Sequence, residues 1–243
     1  MFHFDKKFGL FIGKLKENLY HKHYALQISI SVKSNIALTI KGENEILGKS
    51  FFINSNVEHR LISESNQLTV LVNPLSSIGH QFHLQFGKSN STLLNDSLSD
   101  KLTATLKEFE IAEIDFNKLC ESISQVLSEY QCICESENHL DEQRIINAIK
   151  YMDTNFERVL SIEEVAEKCY LSPTRFLHLF KEKTNLTFRR YQLWNKIIQS
   201  LPFLVKNSIT ETAYKFGFSD SSHYTRTFKE TFGVTPKFLL HKT

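Results

Sequence analysis

The chain has 243 residues, of which 41% are hydrophobic and 23% charged, and its net charge is +2. This composition is too apolar for a globally disordered chain, and no stretch has the ~18 uncharged apolar residues that a membrane helix needs. Four cysteines are too few for a disulfide scaffold, and the absence of a P-loop or GxGxxG fingerprint argues against nucleotide chemistry through those motifs. The N-terminus lacks a basic start followed by an apolar run, so we expect no signal peptide and a cytoplasmic protein with free thiols.

Residues 1–90 are predicted to be rich in β-strand. Residues 26–32 alternate apolar and polar side chains with period two, and residues 36–40, 50–53 and 68–72 are further short strands. The breaks between them contain Gly, Asn and Pro, which are typical turn residues. Strands spaced in this way favour a small antiparallel barrel or sandwich.

Residues 91–140 are predicted to form an acidic helical connector between two domains. Residues 95–140 carry three basic and ten acidic residues, whereas the flanking stretches are mildly basic. Apolar residues recur at helical spacing; they are Ile111, Ile114, Leu119, Ile123, Val126, Leu127 and Tyr130. A helical pair here would offer a surface for dimerisation.

Two cysteines, Cys132 and Cys134, stand near the end of this segment. A zinc site needs about four ligands, and only His139 lies close by, so we favour free structural thiols. A linker is predicted at residues 136–140, and Asp141 is a candidate N-cap for the helix that follows.

The most informative feature of the sequence is an internal repeat. Residues 161–172 recur as residues 208–219 at an offset of 47, and residues 176–187 recur as residues 224–235 at an offset of 48. One residue is therefore inserted at the turn of the second copy.

Each copy has the features of a helix-turn-helix motif. The Ser-x-x-Glu patterns at residues 161–164 and 208–211 predict a capping box at the start of each first helix. Gly217 can supply the positive φ that the turn of the second copy needs. In the first copy, Cys169 or Tyr170 must make that turn without glycine, at some cost.

The second helix of each copy has one aromatic face and one polar face. Phe176 and Phe180, and likewise Tyr224 and Phe228, lie four residues apart and anchor one face. The opposite face carries hydroxyls and cations that can reach base edges and phosphates in a major groove. These candidate DNA-binding residues are Thr174, Arg175, His178 and Lys181 in the first copy, and Ser221, Ser222, Thr225, Arg226 and Lys229 in the second. A solvated surface is the alternative for either helix alone, but the duplication favours DNA binding.

Residues 217–236, GFSDSSHYTRTFKETFGVTP, resemble the C-terminal signature of AraC-type transcription regulators. The first copy and the segment Tyr191-x4-Lys196-Ile197 are similar to the same pattern, so the resemblance covers about residues 141–240. It implies an all-α domain whose two helix-turn-helix motifs enter successive major grooves of double-stranded DNA. The base-side candidates carried over by position are Thr174, Arg175, His178, Ser222, Thr225 and Arg226, with Lys181 and Lys229 as phosphate contacts.

Five positions depart from that family pattern. Phe188 replaces the usual proline before the helix that links the motifs, Lys196 replaces a usual arginine, and Ser200 replaces a usual alanine. Pro202 lies where this helix normally continues, which predicts a kink or an early end. His178 stands where arginine is common, so we expect a weaker or pH-sensitive groove contact from the first copy.

In the N-terminal half, His21-x-His23, Gln27 and His59 resemble the ligand pattern of cupins, small β-barrels with a His-x-His-x3/4-Glu motif and a later His. Two histidines at i and i+2 of a strand point to the same face, as chelation requires. Gln27 occupies the carboxylate position and is a weak neutral ligand, which argues against an enzymatic cupin site. Two interpretations stay open: a divalent metal site, or histidines that line a ligand pocket or pack at the barrel mouth.

Together these features predict a multidomain α+β protein. It would have a cupin-like β-barrel sensor domain at residues 1–90, the helical connector at 91–140 and an AraC-type DNA-binding domain at 141–243. We interpret the chain as a sequence-specific DNA-binding transcription regulator that senses a small molecule and has no catalytic residues.

The expected partners are double-stranded DNA, RNA polymerase, a small-molecule effector and a second copy of the chain, with no membrane. No cofactor is expected unless His21, His23 and His59 bind a divalent metal. Two alternatives stay open: a cupin-type metal-dependent enzyme with a helical appendage, and a ligand-independent DNA-binding protein that dimerises through the barrel.

Overall fold

The computed structural model describes residues 1–4, 8–133 and 142–240. It divides into an N-terminal unit, mainly residues 1–133, and a C-terminal unit, mainly residues 142–231. Across the described ranges, no helix combines the length and the apolar character needed to cross a membrane. Cys134, His139, Asp141 and the predicted linker at 136–140 lie outside the described residues.

The N-terminal unit is built on an antiparallel sheet. The strands that the structure describes are β1 (Phe2–Phe4), β2 (Phe8–Leu15), β3 (Leu26–Ser31), β4 (Ile36–Ile40), β5 (Ile46–Gly48), β6 (Ser50–Ile53), β7 (His59–Val72) and β8 (Ser91–Leu93). The main order is β1-β2-β7-β3-β6-β8, and β4 joins β5 to β7. The predicted β-rich N-terminal half is confirmed, but the pairing of these strands does not close into a barrel.

Strand β7 connects the two parts of this sheet. It is 14 residues long, and its residues 59–62 pair with β4 while residues 67–72 pair with β2 and β3. Leu68, Val70 and Val72 alternate along its second half and are fully buried, as the period-two pattern requires. The second half of β7 is therefore the central strand of the core.

A helix that the strand pattern did not predict, α1 (Ser77–Phe86), follows β7. The Ser76 hydroxyl accepts a hydrogen bond of 3.0 Å from the Gly79 backbone N–H and caps its first turn. Phe82 on this helix is fully buried and packs edge-on against Phe52 of β6. The helix therefore covers part of the sheet.

The predicted separation of a connector from the sensor domain at residue 90 is wrong. Helices α2 (Ser97–Glu110) and α3 (Phe116–Ser128) bury their apolar stripes in the same core as the sheet. Leu102 and Ile123, for example, are fully buried there, whereas Ile111, between the helices, is 65% exposed. These stripes are therefore covered by the chain's own sheet.

The C-terminal unit is helical. Its elements are α4 (Gln143–Thr154), α5 (Ile162–Lys168), α6 (Pro173–Thr184), α7 (Phe188–Leu204), α8 (Ile209–Lys215), α9 (Ser221–Phe232) and α10 (Lys237–Leu240). Both predicted helix-turn-helix motifs are present, as α5–α6 and α8–α9, and α7 links them. Glu142 caps α4 by accepting a hydrogen bond from the backbone N–H of Arg144.

We predict that Ile123→Ala destabilises the N-terminal unit by about 2–5 kcal/mol, because it leaves a cavity in the shared core. Ile111→Ala, in the same sequence segment, should change stability by less than about 0.5 kcal/mol because its side chain is exposed. Urea unfolding followed by circular dichroism measures both. Equal losses in the two variants would show that α3 does not belong to the core.

Candidate DNA-binding surface and histidine cluster

The two helix-turn-helix motifs begin with different caps. Ser208 and Glu211 form the predicted capping box, in which each side chain accepts a hydrogen bond from the other's backbone N–H. Ser161 caps α5 in the same way, but the Glu164 carboxylate binds Arg158 and Tyr151. The capping box predicted for the first copy is therefore only half formed, because a nearby guanidinium attracts the carboxylate. The hydrogen bond from Arg158 lowers the pKa of Glu164 to about 2.

The two turns also differ. Tyr170 adopts φ +55° in the first copy, and Gly217 adopts φ +67° in the second. Cys169 keeps a negative φ and is buried, so Tyr170 is the residue that makes the turn without glycine. A Cβ atom at Gly217 would lie 2.6 Å from the carbonyl oxygen of Glu157, so this position requires glycine for space as well as for φ.

Helix α7 holds the second motif through two of the positions that depart from the family pattern. Lys196 Nζ donates a 3.1 Å hydrogen bond to the carbonyl oxygen of Gly217, and burial lowers its pKa. The hydroxyls of Ser200 and Tyr224 lie 2.8 Å apart in the core. The two substitutions thus fix the turn and the second helix of this motif.

At its other end, α7 packs on the first motif. Phe188 stands at the first helical position, and its ring centroid lies 5.4 Å from that of Phe176 on α6. Its side chain therefore supplies apolar contact where the family pattern has proline. The helix ends at Leu204, two residues after Pro202, whose ring nitrogen cannot donate a helical hydrogen bond.

The second helices of the motifs, α6 and α9, bury their aromatic faces and present their polar faces to solvent. The aromatic residues are Phe176, Phe180, Tyr224 and Phe228, all fully buried or nearly so. Of the candidate DNA-binding residues, Ser221 and Thr225 are half-buried; the exposed ones are Thr174, Arg175, His178, Lys181, Ser222, Arg226 and Lys229. Each set recurs at three- and four-residue intervals and so lies along one face of its helix.

The start of α9 shows the effect of the inserted residue. The Asp220 carboxylate accepts a 2.7 Å hydrogen bond from the backbone N–H of His223, which lowers the pKa of Asp220. Ser172 performs this capping role in the first copy. The insertion therefore exchanges a hydroxyl cap for an anionic one, and a negative charge is favourable at a helix N-terminus.

The N-terminal unit brings His21, His23, Gln27 and His59 together. Two backbone hydrogen bonds, of 3.0 and 2.9 Å, join His21 to His59 as an isolated β-bridge. The three imidazoles are buried, and their possible ligand nitrogens all lie within 4.8 Å of one another. We refer to His21, His23 and His59 as the histidine cluster.

Each ring of the cluster is oriented by its own stretch of backbone. The Nδ1 atoms lie 2.9 Å from the carbonyl oxygen of Leu19 for His21, 3.0 Å from that of Ala25 for His23, and 2.9 Å from that of Val57 for His59. A carbonyl oxygen can only accept, so Nδ1 carries the proton in His21 and His59, and Nε2 is the nitrogen left for any further interaction. In His23 both ring nitrogens face acceptors, because the side-chain oxygen of Gln27 lies 2.7 Å from Nε2.

Burial keeps the cluster uncharged. It lowers the pKa of His21 to about 3, with a smaller effect from His23, and it also lowers the pKa of His23 and of His59. The Gln27 side chain lies 2.7 Å from His23 Nε2 and 2.9 Å from the Ser29 hydroxyl. Ser29 was not predicted from the sequence, although its period-two spacing from Gln27 on β3 places both on one face.

The comparisons with known proteins agree with this architecture. A family profile described as "Helix-turn-helix domain" matches residues 165–242. The probable transcriptional regulator LumQ of Photobacterium leiognathi is 26% identical over 231 residues, or 91% of each chain. The transcriptional activator RhaS of Mannheimia succiniciproducens is 30% identical over 158 residues, which cover 62% of this chain and 58% of RhaS.

Among solved structures, the apo form of a ToxT variant from Vibrio cholerae has a similar fold over 98% of both chains, with a TM-score of 0.67 and 18% identity. Wild-type ToxT with a bound unsaturated fatty acid matches with a TM-score of 0.59 over 98% of this chain and 96% of ToxT, at 18% identity.

Two helix-turn-helix motifs joined by one helix, each with an exposed polar and cationic face, define a DNA-binding protein. The profile match and the sequence relatives show a C-terminal helix-turn-helix domain similar to those of transcription regulators, and the fold with its sheet-rich N-terminal unit is similar to that of ToxT.

We predict that Gly217→Ala destabilises the C-terminal unit by more than the ~1–2 kcal/mol that a left-handed φ costs an L-residue, because the new methyl group meets backbone. Gly42, with φ +86° and no atom within 4 Å of the position that a Cβ would take, is the matched control for the conformational cost alone. Urea unfolding can be followed by fluorescence of Trp194, the single tryptophan, and by circular dichroism for Gly42→Ala. Equal costs in the two variants would disprove the steric conflict.

We also predict that acid destabilises the N-terminal unit through the histidine cluster. The folded-state pKa of His21 is about 3 against 6.5 in the unfolded chain, so the unfolded state binds more protons below about pH 6.5 and stability falls as pH falls. Between pH 7.5 and pH 5, His21 alone should cost ~2 kcal/mol. His21→Gln should weaken this pH dependence, whereas the control His83→Gln, at an exposed position, should not. Urea unfolding at several pH values measures both, with a chelator present to keep metal ions off the histidines. An unchanged pH dependence in His21→Gln would refute the assignment.

Proposed function

We propose that this regulator binds DNA through the polar faces of α6 and α9, which enter two successive major grooves. The observation that supports this most strongly is the duplication itself: two second helices, anchored by equivalent aromatic pairs, expose equivalent polar faces. Helix α7 has 17 residues and is therefore about 25 Å long. With the width of the motifs added, that length suits the ~34 Å between successive turns of one DNA face.

The finer roles follow from side-chain chemistry. Arg175 and Arg226 can donate two hydrogen bonds to a guanine edge, and short hydroxyls such as Thr225 can contact either base. Lys181 lies six residues after Arg175, and Lys229 lies three residues after Arg226; both are suited to phosphate. Neither arginine takes part in an ion pair with another residue of the described chain, so both guanidinium groups are available.

The N-terminal unit is proposed to bind a small-molecule effector and to alter DNA binding by favouring one conformation of the chain. ToxT, of the same fold, binds an unsaturated fatty acid, which supports an effector role for a unit of this architecture. We further propose that the chain forms a homodimer, contacts RNA polymerase, acts in the cytoplasm and has no enzymatic activity.

The test is selection of binding sites from a random DNA pool by the full chain. The expected result is one enriched motif with two half-elements about one helical turn apart. Failure to enrich any motif, with and without an added unsaturated fatty acid, would contradict the proposal.

We predict that Arg226→Ala costs ~1–3 kcal/mol of binding free energy and relaxes specificity at one base pair. Lys229→Ala should weaken binding to all sequences alike and reduce the slope of log affinity against log salt by about one. Fluorescence anisotropy on the selected site and its single-base variants, across a salt series, measures both effects. Lys107→Ala, which removes an exposed cation from α2, is the control; identical behaviour of the Arg226 and Lys229 variants would refute the assigned roles.

A further inference from the structure

Three imidazoles, from two separate segments of the chain, lie close together inside the N-terminal unit. His21 and His23 come from the segment before β3, and His59 begins β7. The exposed fractions are 6% for His21, 5% for His23 and 0% for His59. DNA binding through α6 and α9 does not use this buried polar cluster.

The pairing of the cluster is incomplete in a specific way. His59 Nε2 is buried and has no hydrogen-bond partner among the described residues, although an unpaired polar atom in the interior costs about 1–3 kcal/mol. A histidine kept only for packing is better replaced by an apolar residue, which avoids that cost. His59 Nε2 therefore offers a lone pair, close to two other imidazoles, that a bound ion can satisfy.

The orientation of the rings is like that of metal-binding histidines. All three Nδ1 atoms lie at backbone carbonyl oxygens two residues away. In His21 and His59 this leaves Nε2 unprotonated, and in His23 the same holds once Gln27 turns its side-chain oxygen away from Nε2. Metal-ligating histidines usually have this arrangement, with one ring nitrogen on the metal and the other donating to a carbonyl or carboxylate. Three such rings with nitrogens within 4.8 Å form a converging donor set.

We propose that His21, His23 and His59 bind one divalent late transition-metal ion through their Nε2 atoms, with Zn²⁺ as the best match. Imidazole is a favoured ligand for Zn²⁺, Cu²⁺ and Ni²⁺, whereas Mg²⁺ and Ca²⁺ require oxygen ligands. Three histidines are a known ligand set for tetrahedral zinc, with the fourth position open. No carboxylate belongs to the cluster among the described residues, so water or a small anion takes that position.

The geometry needs a small contraction to accept the ion. With Zn–N bonds of about 2.0–2.1 Å, the nitrogens of a tetrahedral site lie roughly 3.3 Å apart, against separations of up to 4.8 Å in the cluster. A shift of the segment around His21, which moves the ring together with the Leu19 carbonyl, can supply that difference. Gln27, 2.7 Å from His23 Nε2, must then release that nitrogen and becomes a neighbour of the bound ion.

Ion binding by the histidine cluster is a property separate from the proposed DNA binding, and it can be measured without DNA. Loss of DNA binding would therefore leave it standing, and loss of ion binding would leave the DNA-binding surface standing. The test uses the full chain, stripped with a chelator and titrated with ZnCl₂ by calorimetry. One ion per chain is expected, together with a rise in the midpoint of thermal unfolding.

His59→Gln should abolish stoichiometric binding, and His83→Gln, which removes an exposed histidine of α1, should leave it unchanged. Circular dichroism checks that each variant folds. Cys132→Ser should also leave binding unchanged, because the proposed site contains no thiol.

X-ray absorption of the wild-type zinc complex keeps the test decisive if His59→Gln does not fold. Three imidazole nitrogens at about 2.0–2.1 Å and no sulfur neighbour are expected. The proposal is overturned if the wild-type chain binds no stoichiometric zinc, if a folded His59→Gln variant binds as well as wild type, or if sulfur ligates the ion.

Discussion

The packing of α7 is the constraint on which the DNA-binding unit depends. At its start, Phe188 and Tyr191 pack against the aromatic pair of α6, with ring centroids 5.4 Å from Phe176 to Phe188 and 5.5 Å from Phe180 to Tyr191. Further along, Gln192 exchanges two hydrogen bonds, of 2.9 and 3.1 Å, with the backbone of Leu160 ahead of the first motif. Helix α7 thereby fixes the positions of the segments of the C-terminal unit that pack against it.

The end of α7 towards the second motif is held by different forces. There Lys196 and Ser200 make polar contacts inside the core, to a turn carbonyl and to the Tyr224 hydroxyl. Buried polar contacts are directional, and leaving one partner unpaired is costly. Aromatic packing on α6 therefore joins α7 to the first motif, whereas buried hydrogen bonds to the turn and to the second helix join it to the second motif, although the two motifs share one sequence pattern.

Local pattern predicted the features that depend on local chemistry. Alternation identified β3, β4, β6 and the second half of β7, and the repeat identified both helix-turn-helix motifs. Strand β2, FGLFIGKL, was missed because its glycines and continuous apolar run break the alternation. The burial of α2 and α3 was missed because an apolar stripe has the same spacing whether it covers a sheet or a second chain.

The candidate sites also combine features that local sequence predicts with features that only the folded chain shows. Residue type and spacing selected the His, Gln, Arg and Lys positions, since these follow from the face on which each residue lies. The Glu164–Arg158 contact, the turn at Tyr170 and the unpaired His59 nitrogen required the folded chain, because each depends on residues that meet only through tertiary packing. The periodicity of a sequence does not show whether a buried polar atom has a hydrogen-bond partner.

Strand β7 gives the N-terminal unit a mechanical property. His59 lies at its start, paired with Ile40 of β4 and bridged to His21, while residues 67–72 at its far end are hydrogen-bonded on both sides and buried beneath the helices. A slip of one residue would turn every core side chain to the wrong face, so the strand cannot relax a displacement by sliding. A displacement at His59 is therefore taken up by bending between Ser63 and Gln67, where the pairing of β7 with β2 changes register, while the far end of the strand stays fixed in the hydrophobic core.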